Sequence, residues 1–377
     1  MSSVQRCGDG SMRGKWLQFL KGEEVGPLVS PLCDDWSLDQ PYRWPYADAD
    51  PFPPGSPHHA LSQQMAMAGI CGWDPTFLAA VQFPPRNAAT LPETRSEPTA
   101  SGTRTASCIR TPYGDLTNIV ESATSSHTIK PWLATEEDFR KAIWLTEQQL
   151  DYDEDAAIAE GQQLCRGIGN RGVLGTWFGP PSVNLCHREA MFYHMLDWPA
   201  CFAELHAVTT KLALKQIGTL RKAGFDYLFY CVDGTEWISP DIFRTHVAEN
   251  TRTIFARWRA DGGFILWHTC GHAKAFVEAG FYNEFKPEIF ETLSIPPVGN
   301  LPSLGWARQR LDPAIITKGN LPLDLLLNGP EEKIRSAVHR IREETRGYRH
   351  IVGLSDDVFH NTPLSHCLAF TEAAREP

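Results

Sequence analysis

The sequence predicts an α/β fold, a (β/α)8 barrel of the TIM type that carries an irregular, proline-rich amino-terminal elaboration. Three observations carry this reading. From about residue 172 onward, short apolar runs alternate with amphipathic stretches in at least five strand-then-helix units joined by short connections, which implies a parallel sheet covered by helices. A chain of 377 residues suits one large barrel. The alternative, an open doubly wound sheet, would want a glycine-rich phosphate turn after its first strand, and none is present.

The elements follow in order. Ser11 to Leu20 reads as a helix with Trp16, Leu17, Phe19 and Leu20 on its apolar face, ended by Gly22. Pro27 to Trp36 offers a first strand that delivers Asp34 and Asp35 to a loop, where two adjacent acids suit a solvated turn. Residues 37 to 58 hold six prolines among aromatics (Pro41, Pro45, Pro51, Pro53, Pro54, Pro57), a composition for an ordered irregular excursion or a lid. A helix is expected over His59 to Ala68. Residues 84 to 107, rich in Pro, Thr, Ser and Arg, predict a flexible or loosely paired connection. Cys108 to Leu116 reads as strand and turn, forming a hairpin with Ile119-Val120.

Thr135 is placed to cap a helix that runs to about Leu150, with acids in its first turn, and a second helix spans about Asp153 to Arg166. The alternation then begins. Gly172 to Trp177 is a strand, followed by a helix through Glu189, Met191 and Met195 and a long amphipathic helix from Pro199 to Ala223. Tyr227 to Val232 is a strand that leads to Asp233-Gly234, and Ser239-Pro240 opens the next helix. Phe264 to Leu266 starts the strand that ends at His268-Thr269-Cys270, before the turn at Gly271. Ile289 to Ile295 is a further strand, Leu301 to Arg310 a short helix, and Ala314 to Thr317 a strand that runs into Lys318-Gly319-Asn320. Pro330 opens a helix through Ile334, Val338 and Ile341. His350 to Leu354 and Thr362 to Arg375 close the chain as strand and helix.

Composition narrows the class of function. Hydrophobic residues make up 42% and charged residues 21%, enough apolar material for a sizeable core. The net charge is -10 with no basic block, which argues against nucleic-acid or anionic-membrane partners. The amino terminus lacks the apolar core of a signal peptide and no run is long enough to cross a bilayer, so a cytoplasmic protein is expected. Its ten cysteines are then expected to be reduced thiols, most of them acting as small buried hydrophobes.

In a barrel of this kind the chemistry sits at the carboxyl ends of the strands, so the polar residues that follow each strand form the candidate list. They are Asp233, then His268 with Cys270, then Asn320, then Asp356 with Asp357. Each alone is also what a helix cap or a turn would use. Their joint position at the ends of four different strands is what makes a site. His268 and Cys270 are two apart, so they project to one side if the strand geometry persists, and an imidazole and a thiolate would then converge where a soft or borderline metal ion could bind.

At these residues the chain resembles the uroporphyrinogen decarboxylase and corrinoid-dependent methyltransferase superfamily. The runs His268-Thr269-Cys270-Gly271 and Gly319-Asn320-Leu321-Pro322, the tail Asn361-Thr362-Pro363-Leu364 and the segment Ile238 to Phe243 are similar to its motifs, in the same order. The resemblance covers about residues 110 to 377. It implies one barrel domain over 1–377, with 1–107 a divergent amino-terminal part and 108–377 the recognisable barrel.

The His-x-Cys pair looks like the methyltransferase branch, where it supplies two zinc ligands and a cysteine before the Thr-Pro motif supplies a third. The arginine-rich amino-terminal motif of the decarboxylases is absent, which disfavours porphyrinogen decarboxylation. Counting back from Thr362-Pro363 places Asp356 at the third ligand position, a harder donor than cysteine. Cys231, a thiol on the neighbouring strand, reads as a core residue from its apolar context.

The resemblance implies a zinc-dependent methyltransferase that acts between a small methylated compound and cobalamin on a partner protein, since the chain holds no corrinoid-binding domain of its own. Metal would be held by His268, Cys270 and Asp356, with Asp233 orienting substrate or transferring a proton and Asn320 and Asp357 binding substrate. A decarboxylase or other lyase acting on a small acid and a non-catalytic barrel are the alternatives.

Overall fold

The computed structural model describes residues 11–180, 188–232 and 238–377. Strands β1 (Leu28–Val29) and β2 (Thr76–Leu78) are followed by β3 (Glu93–Pro98), β4 (Thr103–Thr111), β5 (Gly114–Ser122) and β6 (Ser126–Lys130). The chain continues with β7 (Val173–Phe178), β8 (Tyr227–Cys231), β9 (Phe264–His268), β10 (Ile289–Glu291), β11 (Ile316–Leu321) and β12 (His350–Leu354). Eight of them form one parallel sheet in the order β1, β12, β11, β10, β9, β8, β7, β2. This is the sheet of a TIM-like barrel, curled so that its first and last strands meet.

The seam between β1 and β2 has no ladder of its own. Asp74 bridges it: its amide N–H donates to the Val29 carbonyl at 2.7 Å and its carboxylate accepts the Val29 N–H at 2.9 Å. The carboxylate is fully buried and paired with Lys15 at 2.8 Å and Arg375 at 3.2 Å. One aspartate therefore ties both edges of the sheet to the first helix and to the last.

That first helix, Met12–Leu20, is the one expected from Ser11 to Leu20, with the Ser11 hydroxyl capping it at Gly14 N. Trp16 and Phe19 turn inward and join Leu28, Phe229, Leu266, Ile289, Ile316 and Ile351 in the barrel interior. Arg13 pairs with Asp226, just ahead of β8, so the helix plugs the amino-terminal mouth. Alternate residues face outward. Tyr230 and Trp267 pack edge-on against each other and against Phe255, beneath the helix Ala248–Ala260. Complete burial of such side chains contributes about 1.5–3 kcal/mol each before entropy is counted.

The structure corrects several local expectations. Residues 84–107 are not a loose connection throughout: β3 pairs with β4, and β4–β5–β6 continues an antiparallel meander of four strands. Side chains of β3 are exposed, which is why its composition reads as a loop. The expected helix after Ser239-Pro240 is two helices, Pro240–His246 and Ala248–Ala260, that meet at Val247. β11 does not stop at Thr317 but runs on through Lys318, Gly319 and Asn320, because these pair with Ile351, Val352 and Gly353 of β12. Glycine and a long polar side chain hide a strand when only local propensity is read.

Two expected outcomes follow from the packing. Asp74→Asn should destabilise the fold by about 1–3 kcal/mol, the worth of charge-assisted hydrogen bonds to partners that are themselves partly exposed, and urea denaturation checks it. His350 is held neutral: Thr317 Oγ1 lies 2.9 Å from Nδ1 and the Gly319 carbonyl 2.9 Å from Nε2, and burial pushes its pKa down to about 3. An unfolded histidine protonates near ~6.5. The native state therefore binds fewer protons between these values, and stability present above pH ~6.5 is lost as the pH falls toward 3. Thermal unfolding from pH 7 to 4.5 should show a smaller fall for His350→Gln than for the wild-type chain.

Candidate metal centre

Three adjacent strands bring their last inward-facing residues to one level. The register pairs Cys231 of β8 with His268 of β9 and His268 with Glu291 of β10. Since Phe229, Leu266 and Ile289 lie one inward step below, this is the first polar layer above an apolar floor. The ring of Phe229 supports the imidazole, with centroids 4.8 Å apart.

His268 is 1% exposed and both ring nitrogens are engaged. Nδ1 lies 2.8 Å from Glu291 Oε1, and Nε2 lies 2.7 Å from Cys270 Sγ. The expected convergence of His268 and Cys270 is therefore present, although β9 ends at His268, so strand alternation does not carry it, and Gly271, at φ 76°, turns the chain just past the thiol. Burial pulls the imidazole pKa down, but the hydrogen bonds with Cys270 and Glu291 outweigh it and lift it to about 10. The Cys270 thiol is itself pushed well up, by its hydrogen bond with Cys231 and then by burial, against the pull of His268.

Cys231 is not a core residue. It is half-buried at the top of β8, and its sulfur joins His268 and Cys270 in a group whose ligand atoms all lie within 4.8 Å of one another. The apolar run before it concealed this, since four of the five residues of β8 are buried and only the last reaches the mouth.

Glu291 and Lys318 also escaped the sequence reading. They are 2% and 1% exposed, and Lys318 Nζ lies 2.5 Å from Glu291 Oε2. Burial raises the Glu291 pKa, yet the lysine charge and the hydrogen bond with His268 prevail and hold it below the ordinary carboxylate value. A glutamate between Phe290 and Thr292, in step with the inward residue Ile289, was the available signal.

Asp356 Oδ1 lies 3.8 Å from His268 Nε2, and the side chain is about a third exposed, at 32%. Asp357 turns elsewhere. Its Oδ1 accepts the N–H of Val358 at 2.8 Å and that of Asp34 at 3.2 Å, where the loops after β12 and β1 run side by side. Burial, and then the charge of Asp34, push the Asp357 pKa up to about 7. Asp34 is raised too, by burial and by Asp35, so it is not the solvated turn residue that its sequence suggests. Asn320 is 5% exposed inside β11 and donates from Nδ2 to the Leu293 carbonyl at 2.8 Å. Asp233 lies outside the described residues.

The group of two thiols, an imidazole and a nearby carboxylate is a donor set for zinc or a similar borderline ion. No helix among the described residues is long and apolar enough to cross a membrane.

Among solved structures, the chain is similar to a methyltransferase from Methanosarcina mazei, with a TM-score of 0.61 and 13% identity over 97% of this chain and 98% of that one. A B12-independent methionine synthase from Shewanella sp. W3-18-1 has a TM-score of 0.41 and 11% identity over 93% and 94%. At such identities the first likeness speaks to the fold alone, and the second is too distant to add to it. No curated protein matches the chain. The family model described as uroporphyrinogen decarboxylase (URO-D) matches residues 184–377, more than half of the chain and the part that carries His268, Cys270, Glu291, Lys318 and Asp356. The chain belongs to the uroporphyrinogen decarboxylase family.

Proposed function

We propose that the chain is a metal-dependent methyltransferase that moves a methyl group between a small methylated compound and a corrinoid held by a separate protein. The observation that carries this reading is the convergence of Cys231, His268 and Cys270 at the carboxyl ends of β8 and β9. Support comes from the family and from the fold shared with a methyltransferase.

The donors fit zinc. Bonds of ~2.3 Å to sulfur and ~2.0 Å to nitrogen set tetrahedral ligand atoms roughly 3.5–3.8 Å apart. The three atoms lie within 4.8 Å, and the Asp356 oxygen is 3.8 Å from His268 Nε2, so small side-chain rotations reach that spacing. Cys270 Sγ, at 2.7 Å from Nε2, is closer than two ligands of one ion, because here they share a proton. In this proposal His268, Cys270 and Cys231 hold the ion and Asp356 completes the shell. When bound, the ion supplies a Lewis acid that stabilises negative charge on the atom that gives up or receives the methyl group.

The other candidates take supporting roles. Asp357, with a carboxyl pushed up to about 7, is able to hold or release a proton near neutrality beside the entrance. Asn320 shapes the floor around the substrate through its bond to Leu293. Asp233 retains its role in orienting substrate or moving a proton.

Elemental analysis of protein purified without chelator is expected to find about one zinc per chain, lost in the His268→Ala, Cys270→Ala double variant. Unchanged metal content in that variant would rule out the site. The share of the remaining donors is read by chelator competition. Cys231→Ser and Asp356→Asn should each weaken zinc binding by about tenfold or more, Asp356→Cys should retain it, and Asp357→Asn should leave it nearly unchanged. Methyl transfer to free cob(I)alamin from a methylated thiol or amine is the activity expected; carbon dioxide release from a small acid without methyl transfer would make the chain a lyase instead.

A further inference from the structure

We infer that Thr292 and Ser294, the two hydroxyl residues that follow β10, are positioning residues. They tie the loop that carries Cys270 to the loop that carries Asp356, and so set the distance between donors on the two sides of the mouth. The inference rests on the metal-site reading above and deepens it.

No ladder sets that distance. β10 and β11 lie between β9 and β12 in the sheet, and β9 and β12 end at His268 and Leu354. His268 Nε2 and Asp356 Oδ1 nevertheless come within 3.8 Å. A row of buried oxygens spans the gap. Thr292 Oγ1 donates to the Thr269 carbonyl at 3.0 Å, the Thr292 and Ser294 hydroxyls lie 3.0 Å apart, and Ser294 Oγ donates to the Ser355 carbonyl at 2.8 Å. Thr269 stands between His268 and Cys270, and Ser355 directly precedes Asp356. Two hydroxyl hydrogens thus serve three contacts, since each hydroxyl donates once and also accepts.

The two carbonyls depend on this strap. Among the described residues no backbone N–H reaches the oxygen of Thr269 or of Ser355. Both residues are buried, and a buried carbonyl without a donor is costly, so the hydroxyls decide where the two loops sit. The strap is itself fixed from three sides. The Glu291 carbonyl accepts the Thr269 N–H at 3.0 Å, the Ser294 carbonyl accepts the Leu301 N–H at 3.2 Å, and Asn320 Nδ2 donates to the Leu293 carbonyl at 2.8 Å. Leu293, between the two hydroxyl residues, sits at φ 62°, in the left-handed region that a leucine takes only where its surroundings impose it. Thr292 and Ser294 are each 1% exposed, so neither reaches a substrate, and they act on the site through the loops they hold.

Chelator competition and amide hydrogen exchange test the strap. Ser294→Ala and Thr292→Val, which remove a hydroxyl with little change of volume, should each weaken zinc binding about tenfold, the effect of losing a contact just outside the metal ligands, while Thr292→Ser should stay within about twofold of the wild-type chain. In an Asp356→Asn background, Ser294→Ala should cost less than about twofold more, because the donor it places is already lost; a residue that only supports the fold would lower affinity equally in both backgrounds. In metal-free protein, exchange at Asp357 and Val358 should quicken in Ser294→Ala, and exchange at Cys270 and Gly271 in Thr292→Val. The inference is overturned by zinc affinity within about twofold of wild type in Ser294→Ala, by a loss of about tenfold that persists in the Asp356→Asn background, or by Thr292→Ser binding no better than Thr292→Val. If the wild-type chain takes up no zinc, the metal reading falls and exchange alone decides the strap, which unchanged rates in both variants overturn.

Discussion

The parallel register of β8, β9 and β10 is the constraint on which the mouth of the barrel depends. Because Cys231, His268 and Glu291 are ladder partners, the alternation that buries Phe229, Leu266 and Ile289 necessarily lifts those three into one layer above them. A slip of one residue in either ladder would turn the imidazole or the carboxylate outward among Tyr230, Trp267 and Phe290, where the helices pack. The apolar floor thus fixes the height of the polar layer.

That layer is electrically self-consistent. The Lys318 ammonium meets Glu291, Glu291 meets His268, and His268 meets Cys270, so that each buried polar group has a partner of suitable kind. The same logic governs the other end of the barrel, where buried Asp74 is matched by Lys15 and Arg375 and by the Val29 N–H. At the rim the balance differs. The Asp34 N–H donates to Asp357, and both carboxyls are shifted upward, first by burial and then by a neighbouring acid, Asp35 for Asp34 and Asp34 for Asp357.

Membership in the uroporphyrinogen decarboxylase family agrees with an enzyme, and the likeness to a methyltransferase from Methanosarcina mazei adds the barrel fold. The family name does not dictate the reaction, because function resides in the side chains that a barrel carries at its mouth. Here those side chains are two thiols, an imidazole and carboxylates.

Much of this was legible in the residues alone. The alternation of apolar runs and amphipathic stretches after residue 172 is a local property, and it determined the parallel α/β sheet; the spacing of His268 and Cys270 marked them as a pair, although the strand whose period would align them ends at His268. Long-range pairing decided the rest. Cys231 looks apolar by its neighbours and joins the His268 and Cys270 group only because β9 sets His268 beside it. Lys318 looks like a turn residue and becomes buried only because β12 extends β11 past it. Nothing in the local sequence marks Asp74, and its role emerges only when the two edges of the sheet come together. Local sequence carries propensity and period, whereas burial, ion pairing and metal-ligand geometry depend on which distant strand lies alongside, and tertiary structure alone decides that.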